Sequence, residues 1–176
     1  MRTDLLCLVA AGFCVTAGAA SAQSAASANI QTTVAPYCAS LEPGSPSSLA
    51  LDSLVGPTGQ LSSDFSGTTS YSLTGYYCNA RAEITLTASP LRPSAPVTVS
   101  DVASFTDRVD YTAALAWDDV SLEVLSATES PAQTTTSEAN IGTLTVTVSA
   151  PITANNRRPV AATYEAAVTL TIAPVA

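Results

Sequence analysis

Fourteen carboxylates, four cysteines and not one histidine or lysine bound the chemistry open to this 176-residue chain. Without histidine there is no usual general base, no usual zinc ligand, and no Ser-His-Asp or Cys-His arrangement. Without lysine there is no Schiff-base chemistry and no Ser-x-x-Lys pair. Carboxylates remain. Asp118 and Asp119 follow Trp117, with Glu123 four residues on, and such a group could hold Ca²⁺ or act as a glycosidase pair. The D-x-D-x-D-G loop that organises calcium ligands is missing, so a solvated turn is the simpler reading. Asp101, Asp107 and Asp110, with Arg108 among them, read as a polar loop. The eight glycines form neither G-x-G-x-x-G nor G-x-x-x-x-G-K, so no phosphate cradle is expected. Asn155-Asn156-Arg157-Arg158 reads as a hairpin tip of turn-forming asparagines and solvated arginines rather than an anion site. The expectation is therefore a non-enzymatic protein with no catalytic residues, no cofactor and no metal.

The cysteines say more. Cys7 and Cys14 fall in a segment built like a secretory leader: Arg2 gives the positive start, residues 5–20 an apolar stretch, and Ala20-Ser21-Ala22 a small-x-small cleavage pattern. Residues 1–22 are accordingly read as a signal peptide and 23–176 as a single domain. Ala26-Ser27-Ala28 offers a second site that would start the chain at Asn29. A membrane anchor is the competing reading, but the stretch is short, rich in Ala and Gly, and ends in the cleavage pattern rather than a charged stop. Lipid attachment at Cys14 is disfavoured by Phe13, where a small residue is wanted. Two cysteines remain after cleavage. In an oxidising compartment Cys38 and Cys78 are expected to pair, closing a loop of about 40 residues worth about 4 kcal/mol in the chain-entropy model. Their spacing is wrong for a C-x-x-C redox or metal motif.

A formal net charge of −8 repels phosphate backbones and anionic headgroups, so neither nucleic acid nor a membrane surface is an expected partner. No later run approaches the roughly 20 apolar residues that a spanning helix needs.

The scaffold that must position these residues reads as β throughout. Tyr164, Ala166, Val168, Leu170 and Ile172 alternate with Thr163, Glu165, Ala167, Thr169 and Thr171, and Leu144, Val146 and Val148, like Ile84, Leu86 and Ala88, alternate with threonines. That is the period of a half-buried strand. Pro90, Pro151 and Pro174 stop each run, because proline cannot donate to a ladder. Further strands are expected over residues 30–35, 71–77, 97–102, 109–117 and 121–125, the last with helix as an alternative. Loops are expected over 41–48 and over 126–140, the stretch from Ser126 to Asn140 around Pro131. About eight or nine short strands at regular spacing predict an antiparallel β-sandwich, with a barrel as second choice.

One arrangement goes further. An early strand, 29–38, runs into Cys38; Cys78, in Tyr76-Tyr77-Cys78-Asn79, precedes a strand reading Ile84-Thr85-Leu86-Thr87; and Ala162-Thr163-Tyr164 opens a closing strand that ends in Val168-Thr169-Leu170-Thr171-Ile172. This resembles the secreted pilin-like domains of bacteria, the spore coat protein U family and related chaperone–usher pilus subunits. In those, a disulfide joins the first two strands and a strand of the form Gly-Thr-Tyr-x-x-x-Val-x-Val closes the domain. Two positions depart from the pattern: Ala162 stands where glycine is usual, and Val175 replaces a penultimate aromatic. The resemblance implies an immunoglobulin-like sandwich lacking one strand, completed by a strand from a periplasmic chaperone or a neighbouring subunit, and assembled by way of an usher or by self-assembly. An exported structural or adhesive subunit of a pilus- or coat-like surface assembly is the expected function, in the periplasm, on the cell surface or outside the cell. The alternative is a stand-alone module that binds carbohydrate or protein through the 126–140 loop.

Overall fold

Alternation of Thr with Val, Leu and Ile decides the local structure, since each such run can bury one face and hydrate the other. The computed structural model describes residues 31–40, 48–127 and 132–175. The predicted signal segment, both cleavage sites and most of the 41–48 loop lie outside the described residues.

Twelve strands follow in order: β1 Cys38–Ser40, β2 Ser70–Cys78, β3 Ala82–Ala88, β4 Arg92–Pro93, β5 Phe105–Thr106, β6 Asp110–Trp117, β7 Val120–Leu125, β8 Ala132–Ser137, β9 Asn140–Ile152, β10 Arg158–Pro159, β11 Tyr164–Glu165 and β12 Val168–Pro174. A five-stranded antiparallel sheet runs β1-β2-β9-β6-β7, and a three-stranded antiparallel sheet runs β12-β3-β8. Two minor pairs, β11 with β4 and β10 with β5, tie down the connections. The predicted all-β, disulfide-closed sandwich is what forms.

The two sheets share one core. Ala82, Ile84, Leu86 and Ala88 of β3 are buried while Glu83 faces out, and Tyr111, Ala113, Leu115 and Trp117 of β6 are buried from the other side. Trp117 is 0% exposed and takes Tyr76 edge-on at 5.5 Å between ring centres, a geometry that the ring quadrupole favours. The Tyr164 hydroxyl of β11 donates to the carbonyl of Val160 at 3.1 Å, tying β11 to the backbone four residues upstream.

The β6–β7 pairing is prolonged by one buried side chain. The Tyr111 amide donates to Oγ of Ser126 at 2.9 Å, and the Ser126 amide donates to the Tyr111 carbonyl at 2.9 Å. Ser126 is fully buried. Ser126→Ala leaves that amide without a partner inside the core, at a cost of about 1–3 kcal/mol. Thermal unfolding followed by circular dichroism is expected to show a Tm lower by several degrees.

Three strand expectations and one loop expectation are corrected. Residues 31–37 are extended but outside any strand, and β1 is only three residues long; propensity alone does not make a strand where no neighbour supplies a ladder. Residues 97–102 form no strand for the same reason and are mostly exposed. The closing run is split into β11 and β12 at Ala166-Ala167. Within the predicted 126–140 loop, β8 pairs with β3 over Ala132–Ser137. Its apolar period is missing because the inward positions, Thr135 and Ser137, are themselves hydroxyl residues. The 121–125 segment, left open between strand and helix, is strand β7.

Candidate functional site

The carboxylates that could have done chemistry are placed apart and accounted for singly. Asp118, with Asp119, makes the tight β6–β7 turn at φ 52°, a left-handed conformation that aspartate tolerates. Glu123 stands on β7 opposite Ala114, with its side chain exposed. Asp101 folds back on its own loop, where hydrogen bonds from Ser104 and Ala103 hold its carboxyl below the ordinary range. Asp107 pairs with Arg92 at 3.1 Å and Asp110 with Arg108 at 2.8 Å. Asn155 and Asn156 both take positive φ in a short 3-10 turn, and Arg157 donates to the carbonyls of Ala154 and Val102. Among the described residues no group of three or more His, Cys, Asp or Glu is close enough to hold a metal ion.

Cys38 and Cys78 are bonded to one another, and the register of β1 with β2 sets them opposite each other. They sit at one edge of the five-stranded sheet. On the opposite edge β7 lies against β8 of the second sheet. Arg108 fastens that side, donating to Asp110 and to the carbonyls of Ser126 and Ala127 as the chain leaves β7.

On the other side, among the described residues, no strand pairs with the free edge of β12. A groove of about 910 Å³ runs along it. Its floor is the inner face of β2 and β9, with Leu73, Tyr76, Leu144 and Val146; one wall is Leu49, Leu51 and Phe65, and the other is Val168, Leu170 and Ile172 of β12. Those three β12 residues point inward yet are only half-buried, and among the described residues no strand lies over them.

The backbone of β12 is exposed in the same place. In an antiparallel ladder, alternate residues turn their N–H and C=O toward the neighbour. The Ser89 amide donates to the Ala167 carbonyl and the Val175 amide to the Arg81 carbonyl, so the odd-numbered residues bond β3. By the same alternation, the N–H and C=O groups of Val168, Leu170 and Ile172 face the open edge. Among the described residues no strand pairs with that edge. It also lacks the usual guards: no charge stands between Ala166 and Val175, no proline precedes Pro174, and the register with β3 runs without a bulge.

Three tyrosines around the groove are pushed above their ordinary value, chiefly by burial: Tyr76, Tyr164 and most of all Tyr111, to about 12. Between pH 10 and 12 the folded chain keeps phenolic protons that the unfolded chain loses. The stabilisation is therefore complete below about pH 10 and is lost as pH rises toward 12, with roughly 2–3 kcal/mol from Tyr111 alone. Urea unfolding across this range is expected to show midpoints that fall with pH, and Tyr111→Phe is expected to flatten the fall.

The residues themselves point to the disulfide but not to the Arg108 fastening, and an unfilled strand position enters only as what the pilin-like resemblance implies. Arg108 looked like one charge among several in a polar loop. The groove is made by what fails to pair with β12, and no residue pattern marks a missing neighbour. No family model matches the chain, and no curated protein or solved structure matches it either.

Proposed function

We propose that this protein is an exported, non-enzymatic structural or adhesive subunit of a surface assembly, joined to its neighbours by strand addition along β12. The observation that carries this reading is the coincidence of an unguarded strand edge with an apolar groove beside it. A peptide strand laid there satisfies the outward groups of Val168, Leu170 and Ile172 and places alternate side chains on the groove floor. Backbone bonds supply affinity and the pockets for alternate residues supply selectivity. The incoming strand comes from a neighbouring subunit or from a periplasmic chaperone before assembly. The charge of −8 and the hydroxyl-rich outer faces keep such a subunit soluble until it is joined. A binding module reading through residues 126–140 has less behind it, since much of that stretch is β8.

Electrophoresis of the native exported protein in detergent, loaded with and without boiling, tests the proposal. A ladder of multiples that collapses on boiling, without need of reductant, is the expected result. A single monomer band in both lanes would overturn it.

A further inference from the structure

The Tyr-Tyr-Cys-Asn motif has so far contributed one cysteine and one core ring, and its other two residues build something more. Tyr37, just ahead of β1, and Tyr77 of β2 stand beside one another, with ring centres 6.2 Å apart and planes tilted by 57°. Tyr37 is 55% exposed. Six-membered rings at that separation, so tilted, bring their edges close to van der Waals contact.

The backbone under this pair is held from three directions. Cys38, next to Tyr37, is bonded to Cys78, next to Tyr77. The Tyr37 amide donates to the Asn79 side-chain oxygen at 2.7 Å, and the Asn79 amide donates to the Tyr37 carbonyl at 3.0 Å. The Asn79 side-chain amide also donates to the Ala35 carbonyl at 3.0 Å. Asn79 thereby extends the β1–β2 ladder past the disulfide, using a side chain where the strand has ended. Fixing both backbones removes most of the orientational freedom that two reacting rings would otherwise have to lose.

We infer that Tyr37 and Tyr77 form a built oxidative cross-linking site, at which a one-electron oxidant of the peroxidase–hydrogen peroxide class joins the two rings as dityrosine. Each phenol gives up one electron and its hydroxyl proton to the oxidant. The two phenoxyl radicals couple between ring carbons ortho to the oxygens, and the hydrogen on each coupled carbon moves to its phenolic oxygen. One hydrogen peroxide is reduced to two waters, and the protein loses two hydrogen atoms. The product is a carbon–carbon bond between the segment leading into β1 and β2, beside the disulfide, and reductants do not cleave it.

Peroxidase and hydrogen peroxide added to the dilute, full-length exported protein provide the test. The expected result is dityrosine fluorescence from a monomer and, after reduction of the disulfide and peptic digestion, a linked peptide pair containing Tyr37 and Tyr77 that is two hydrogens light. Tyr37→Phe and Tyr77→Phe should each abolish that species, and Asn79→Ala, with the disulfide intact, should reduce its yield severalfold. Dityrosine formed only between molecules, or between other tyrosines, or undiminished in Tyr77→Phe, would overturn the assignment. So would an oxidised protein with no dityrosine.

Discussion

Replacing Cys38 and Cys78 together by alanine is expected to lower unfolding stability by about 4 kcal/mol. The bridge spans a sequence separation of 40, and removing it returns to the unfolded chain the loop-closure entropy that the bridge had taken away. The folded state has little to offset that gain. Strand β1 is three residues long, and among the described residues its one strand partner is β2, so the bond reinforces a short ladder at the sheet edge. In a domain of this size the loss corresponds to a Tm lower by about 10–15 °C. Alanine at both positions avoids leaving a reactive thiol or burying a hydroxyl at position 78, where the native side chain is 2% exposed. Differential scanning calorimetry decides the matter, and a change below about 1 kcal/mol would mean that the bridge closes a loop already ordered in the unfolded chain.

The second large effect concerns assembly rather than folding. Leu170 lies midway along β12 with its side chain in the groove, half-buried. In the separate subunit Leu170→Arg is tolerated at small cost, because the guanidinium can reach water over the open groove mouth. Once a strand covers the groove, that charge is buried without a partner, which costs several kcal/mol. The expected result is a loss of at least about 100-fold in assembly affinity, the equivalent of roughly 3 kcal/mol, with Tm little changed. Thr171→Arg on the outer face of the same strand is expected to leave assembly intact. Sedimentation of the two variants side by side separates an effect on the groove from an effect of added charge.

What could be read from the sequence follows from how local each feature is. The β3 and β9 strands announce themselves because Ile84 and Val146 each sit in a run that alternates apolar residues with threonine. The disulfide is legible because, with residues 1–22 read as a leader, Cys38 and Cys78 are the two cysteines left to pair. The β8 strand is not legible, since Thr135 and Ser137 face inward without being apolar. Residues 97–102 have strand composition and no sheet to join. The Tyr111–Ser126 and Arg108–Ala127 bonds connect residues 15 and 19 apart, a relation fixed only after β6 and β7 have paired. The open edge of β12 is the extreme case, because Val168, Leu170 and Ile172 read the same whether or not a strand lies beside them.

That edge is where a single measurement has most to say. Amide hydrogen exchange, read residue by residue from β12 in separated subunits and in the assembled form, compares two interleaved sets of groups on one strand. In the separated subunit the amides of Thr169, Thr171 and Ala173 are expected to be protected by β3, and those of Val168, Leu170 and Ile172 to exchange fast. In the assembly all six are expected to be protected. Equal exchange of Val168, Leu170 and Ile172 in both forms, with protection gained elsewhere, would contradict strand addition at β12.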